Sequence, residues 1–313
     1  MRFSVDPWDV EYGSSQGFDL ADPSTGEINV ELERAEGEWA PIDSATGVAA
    51  ARRVVFVDGV RRIDARVWID GDDGDVHPGL CASFAAGAVC CGTVAEVITF
   101  EVERGVFSTA ATATDITTTL TTYPARMAAS PDLDGLMLAV HERMTQTEVA
   151  IARAARADAS VELIVVDGPL RGRQHIEGTV GFVKSHAVVY LPPDLPRMVG
   201  TLGARQRTPV FTVGTSYSRH SWYLRLPGPG SCGASARRIW LPPRRSSSPT
   251  ARAPPCRASH PSLTRTPAPR RTSTRSGGLE RELRRRLGDQ QILYRSLRAA
   301  AGAPGVGSAV AAS

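Results

Sequence analysis

Val161-Glu162-Leu163-Ile164-Val165-Val166-Asp167-Gly168-Pro169 is the stretch on which the fold turns. Its apolar, β-branched run is too short for an ordinary helix and stops at an Asp-Gly-Pro turn signal, so it reads as a buried strand. A run of the same build, Arg53-Val54-Val55-Phe56-Val57-Asp58-Gly59, stands earlier in the chain. Residues 63–69 continue it as a second strand, alternating Ile63, Ala65, Val67 and Ile69 against Asp64, Arg66 and Trp68. The acidic residues 70–75 lack the ligand pattern of a calcium loop and read as a solvated hairpin loop. Residues 83–91 and 95–102 add two more β-type runs, giving a meander of about four strands. Residues 134–157 then change period, with Met137, Val140, Met144, Ile151 and Ala155 on one helical stripe. After the strand at 161–166, residues 181–184, 188–191 and 209–213 suggest short elements around a helix, and residues 222–226 a last strand. Meander, helix, strand, helix and strand predict an α/β protein with a ribonuclease-H-like mixed sheet and flanking helices.

The chain has 313 residues, 42% hydrophobic and 22% charged, enough apolar material for a packed core. No apolar run reaches the ~18 residues of a membrane span, and Met1-Arg2-Phe3-Ser4-Val5 opens no signal peptide, so the expectation is a cytoplasmic protein. Five cysteines, Cys81, Cys90, Cys91, Cys232 and Cys256, without C-x-x-C spacing argue against a disulfide framework or a structural zinc site. Of the 36 basic residues, only Lys184 is not arginine. Ten of these arginines fall in residues 231–278, which hold no Asp, Glu or Lys; without them the net charge is +3 − 10 = −7. The overall basicity is therefore no sign of nucleic-acid binding by the whole chain.

The same 48 residues carry eight Pro, nine Ser and five Thr, too little apolar surface to offset chain entropy. Two readings fit: a disordered arginine-rich arm, or a shifted frame of GC-rich codons. The predicted organisation is a poorly ordered extension over 1–50, a core over 51–229, a disordered or frameshifted segment over 230–278, and a helical segment over 279–300. The last is marked by Leu279, Leu283, Leu287, Ile292, Leu293 and Leu297.

Asp58 and Asp167 each close an apolar strand, and strand-end acids in α/β sheets project where sites assemble. The plainer reading is that Asp-Gly is a favoured turn dipeptide. Glu148 lies on the apolar stripe of its own helix with His141, a costly place for a carboxylate unless it is paired, metal-bound or directed outward. Together Asp58, Glu148 and Asp167 would make an oxygen-donor site suited to Mn²⁺ or Mg²⁺, ions that activate water and hold the attacking and leaving oxygens of a phosphodiester. In that cluster, Glu148→Gln would relieve like-charge repulsion. Lys184 offers a compact ammonium for a phosphoryl group, or is simply a chance survivor among arginines. Arg171, Arg173 and Arg219 are candidate phosphate contacts, although solvated loop arginines are commoner. His175, His186 and His220 have no ligand spacing, and Walker A, GxGxxG, GxSxG and HExxH patterns are absent.

The two Asp-Gly strands, with Leu170, Gly181-Phe182-Val183-Lys184-Ser185 and residues 222–226, resemble the NurA nuclease family over residues 50–228. The resemblance implies a ribonuclease-H-like, manganese-dependent DNA nuclease, often a homodimer, processing DNA ends with a hexameric HerA-type ATPase. It places the first strand acid at Asp58, the helix acid at Glu148 (with Glu142 on the same helix) and the second strand acid at Asp167, with Lys184 beside them. The family's aromatic-Pro element and its histidine in the last helix have no counterpart at residues 279–286. Codons permissible for residues 266–276, read two bases later, restore a Tyr-Pro. The alternative function is a non-catalytic module that binds DNA ends or the motor ATPase.

Overall fold

The Asp58-Gly59 dipeptide does not turn the chain. In the computed structural model, which describes residues 1–5, 27–43, 51–72, 74–91, 94–183, 191–192, 195–214, 218–226, 237–241 and 270–302, Val54–Asp70 is one strand of 17 residues, β1. Asp58 pairs with Gly87 and Gly59 with Ala86 in a ladder with β2, Val76–Cys91, that runs without a break from Val54 to Ile63. The long partner strand overrides the turn preference of the dipeptide, and the reversal comes at the acidic loop, where Gly74 has φ 86. The 63–69 alternation is also split. The register shifts between Ile63 and Ala65, making Asp64 a bulge residue. Ile63 therefore packs with Val140 and Met144, whereas Ala65, Val67 and Ile69 pack with Leu297.

Strand β3, Ala95–Ser108, completes an antiparallel meander of three long strands rather than four. Helix α1, Leu133–Arg156, starts at Asp132, whose carboxylate accepts the Gly135 N–H at 2.7 Å. It crosses one face of the sheet and leads to β4, Leu163–Asp167, which lies parallel to β1, and β5, Thr179–Val183, parallel to β4. The sheet continues through β6, Phe211–Gly214, β7, Ser218–Leu224, and β8, Arg237–Leu241, in the order β6-β7-β8-β5-β4-β1-β2-β3. Helices α2, Arg270–Arg286, and α3, Gln290–Gly302, lie against the meander, α2 through Leu279 and Leu283, with Leu287 just past its end, on the face away from α1. β2 is built largely of Ala, Gly, Ser and Cys because helices press on both its faces. A Cβ on Gly87 would stand 3.0 Å from Leu283 and 3.2 Å from Leu279. The result is a mixed α/β sheet with flanking helices.

Two segments expected to lie outside the core contribute strands. Within residues 1–50, Phe3–Val5 pairs with β1, Ile28–Asn29 pairs with β6, and Val30 and Trp39 pack with Phe211. Glu33 ties this segment down, accepting from Arg207 at 2.7 and 2.8 Å and from the Val210 N–H at 2.7 Å. Within residues 230–278, β8 pairs antiparallel with both β5 and β7, and α2 starts at Arg270. The rest of 230–278 lies outside the described residues, as does the strand expected at 188–191 except for Leu191, which is buried at a bend. No helix among the described residues is long and apolar enough to cross a membrane.

Candidate functional site

A cleft of about 400 Å³ opens where β4 stops at Asp167 while β1 runs on beyond Val57, its last residue paired with β4. β1, the end of β4, Val183 of β5, the loop after β4 and α1 line it. β1 gives Asp58, Gly59 and Arg61; β4 ends on Asp167, and the loop after it gives Gly168, Arg171 and Arg173. α1 gives Asp134, Met137, Leu138, His141, Thr145 and Glu148, which recur every three or four residues along one helical stripe, with Met137 and Leu138 side by side in it. That stripe flanks the buried one of Leu136, Val140, Met144, Thr147 and Ile151. His141 and Glu148 thus face the cleft from the margin of the core, and Glu142 is exposed away from it. Gly168, at φ 77, takes a left-handed conformation open to glycine and turns the chain away directly after Asp167.

Strand parity sorts the three acids. Val55 and Val57 pack under α1, and Gly59 has the same parity. The Glu148 carboxylate sits so close over Gly59 that any Cβ there would collide with its Oε1. Asp58 lies on the other face, opposite Gly87 and toward Leu279 and Leu283 of α2. In β4, Ile164 and Val166 face α1, so Asp167 shares the face of Asp58, one step beyond the Val166–Val57 pair. Asp58 and Asp167 are therefore neighbours on adjacent parallel strands, and Glu148 reaches the cleft from the opposite face. The Asp58 Oδ1 accepts the Gly59 N–H at 2.8 Å.

The structure resolves how a carboxylate is tolerated at 148: it is ion-paired with Arg173, and neither side chain is more than 13% exposed. Arg173 also donates to the Pro169 carbonyl at 3.3 Å, fixing the loop that follows Asp167. Lys184 lies outside the described residues. Among the described residues, no three His, Cys, Asp or Glu side chains cluster tightly enough to hold a metal ion. The donor chemistry of Asp58 and Asp167 nevertheless fits Mn²⁺ or Mg²⁺ in the form these ions often take, one or two carboxylates completed by water and phosphate oxygens. Glu148 is engaged by Arg173 in this arrangement.

Sequence reasoning missed Arg61. The signal was available in the strand period, since positions 59 and 61 share a face. Its Nη1 lies 3.3 Å from His141 Nδ1. A guanidinium only donates, so Nδ1 accepts and the neutral ring carries its proton on Nε2. Burial first, then the charges of Arg61, Arg171 and Arg173, hold the His141 pKa below its ordinary value. His141 is thus expected to be neutral at pH 7, with an NMR titration midpoint under 6.5; a midpoint at or above 6.5 would contradict the arrangement. Below pH 6.5 the unfolded chain takes up this proton and the folded one resists it, so the histidine's effect is to lower stability as pH falls toward the folded-state pKa.

Gly59→Ala is expected to cost about 1–3 kcal/mol, because the added methyl must displace Glu148 from Arg173 or bend β1. Urea denaturation measures it, and an unchanged midpoint would mean that α1 does not seat Glu148 against the strand. No protein-family model matches this chain, and a search of curated proteins finds no match.

Proposed function

We propose that this protein is a metal-dependent DNA nuclease of ribonuclease-H-like architecture. The observation that carries the reading is the convergence of Asp58, Asp167 and Glu148, from two adjacent strands and a helix, on one cleft that also holds arginines. The chain order supports it: an antiparallel meander, a helix, then strands parallel to the first. Asp58 and Asp167 would hold Mn²⁺ or Mg²⁺, and a divalent ion in such a place acidifies water and neutralises a phosphodiester. Arg173 positions Glu148 and, through Pro169, the loop that follows Asp167. Arg171, exposed at the rim, suits the DNA backbone.

The resemblance to NurA nucleases adds a homodimer working with a hexameric HerA-type ATPase, which co-purification would test. A second reading, a DNA-end or motor-binding module without catalysis, is favoured by the engagement of Glu148 with Arg173. Incubation of end-labelled DNA with Mn²⁺, Mg²⁺ or chelator separates the two. Cleavage only with metal supports the nuclease; DNA binding without cleavage supports the module; the absence of both cleavage and binding overturns both readings.

A further inference from the structure

We propose that Arg61, backed by His141, forms a phosphate-binding subsite on the α1 side of the cleft. Arg61 is half-buried, and burial alone lowers its pKa, a sign that its charge is poorly solvated. Among the described residues it forms no ion pair; its one hydrogen bond goes to a neutral imidazole. Arg173, in the same cleft, is matched by Glu148, and Arg62, its neighbour on the strand, by Asp64. Among the described residues, Arg61 is thus a cation in the cleft that is not engaged in an ion pair.

The remaining N–H groups of the guanidinium and the Nε2–H of His141 make a set of donors suited to the oxygens of a tetrahedral anion. A guanidinium fork serves that recognition better than an ammonium. Arg61 stands three residues beyond Asp58 on β1, so an anion bound there lies along the strand from the two paired acids. Those acids repel an unaccompanied anion, which makes metal-free binding weak. The place of this subsite in DNA cleavage rests on the nuclease reading; the anion site itself does not. The shared ligand chemistry is a phosphate group, whether of a nucleic-acid backbone or of a free phosphate compound.

The test follows the His141 ring resonances of the full chain in EDTA, titrated with inorganic phosphate and separately with a short single-stranded oligonucleotide. Both are expected to shift the ring, and Arg61→Gln to weaken both by about tenfold or more, the usual scale for losing a hydrogen bond from a charged group. Arg61→Lys, which keeps the charge and loses the fork, should fall between; it decides the matter if Arg61→Gln does not fold. Equal binding by wild type and variants overturns the proposal. A response to phosphate but not to the oligonucleotide keeps the subsite and assigns it to a free phosphate compound, against the nuclease reading. Metal-dependent cleavage without Arg61-dependent phosphate binding does the reverse.

Discussion

Asp167→Asn is expected to lower Mn²⁺-dependent DNA cleavage on the order of 10³-fold, the loss that about 4 kcal/mol of transition-state stabilisation represents, and to leave the fold intact. Asp167 is exposed at the end of β4, so the substitution should move stability by no more than about 0.5 kcal/mol. An amide keeps the shape of the side chain and loses the charge that would hold a divalent ion. Asp58→Asn should match it in activity, because the amide oxygen can still accept the Gly59 N–H. Glu148→Gln is the informative contrast. Read as one of three clustered acids, Glu148 would relieve repulsion when neutralised; the Arg173 ion pair reverses that sign. Removing its charge takes the ion-pair partner from a guanidinium that is only 3% exposed, at a cost of about 1–3 kcal/mol. Cleavage rates on labelled DNA beside urea melts of the same preparations test all three. Cleavage by Asp167→Asn at the wild-type rate would remove the strand acids from the mechanism.

Much of this architecture was legible because it rests on local pattern. The β4 run at 163–167 and the 3.6-residue stripe of α1 place Asp167, His141 and Glu148 on their elements without tertiary information. What the pattern could not reveal depends on partners distant in sequence. Asp58-Gly59 has the composition of a turn, and only the equally long β2 keeps it in a strand. There Gly59 serves a different purpose, making room for Glu148. Alternation placed Ile63 with Ala65, Val67 and Ile69, but a bulge is a matter of register and leaves no mark in a period-two count. Average composition also conceals short elements. Arg237-Arg238-Ile239-Trp240-Leu241 is the one β-type run in a Pro- and Ser-rich stretch, and it supplies the strand between β5 and β7. Glu148 was legible as an anomaly, a carboxylate on an apolar stripe, but its remedy lies in Arg173, on a loop beyond the next strand.

Asp64→Ala is expected to be the most destabilising single substitution outside the cleft, at about 3–5 kcal/mol, the range for removing one partner from a buried charged pair. The bulge turns this carboxylate into the protein, where it is 1% exposed. It accepts from Arg62 Nε at 2.8 Å, from the Tyr123 hydroxyl at 3.0 Å and from the Ser83 hydroxyl. Alanine would strand all three donors. The damage should spread, because Arg62 also donates to the Gly288 carbonyl at 2.7 Å, and Arg104 to the Leu287 carbonyl at 3.1 Å, closing the end of α2 onto the meander. Against a typical total of about 5–15 kcal/mol, such a loss removes a large share of the stability. Asp64→Asn keeps the shape and one acceptor and should cost less. Its readout is also spectroscopic. Burial and the charge of Asp64 push the Tyr123 phenol up in pKa, so the folded chain keeps a proton that the unfolded chain releases near pH 10, and stability falls as pH rises past that value. In Asp64→Asn the phenol should ionise at lower pH in an absorbance titration, and the alkaline loss of stability should shrink. A urea midpoint for Asp64→Ala within 1 kcal/mol of wild type, or an unmoved phenol in Asp64→Asn, would mean that the bulge is held by packing and not by its carboxylate.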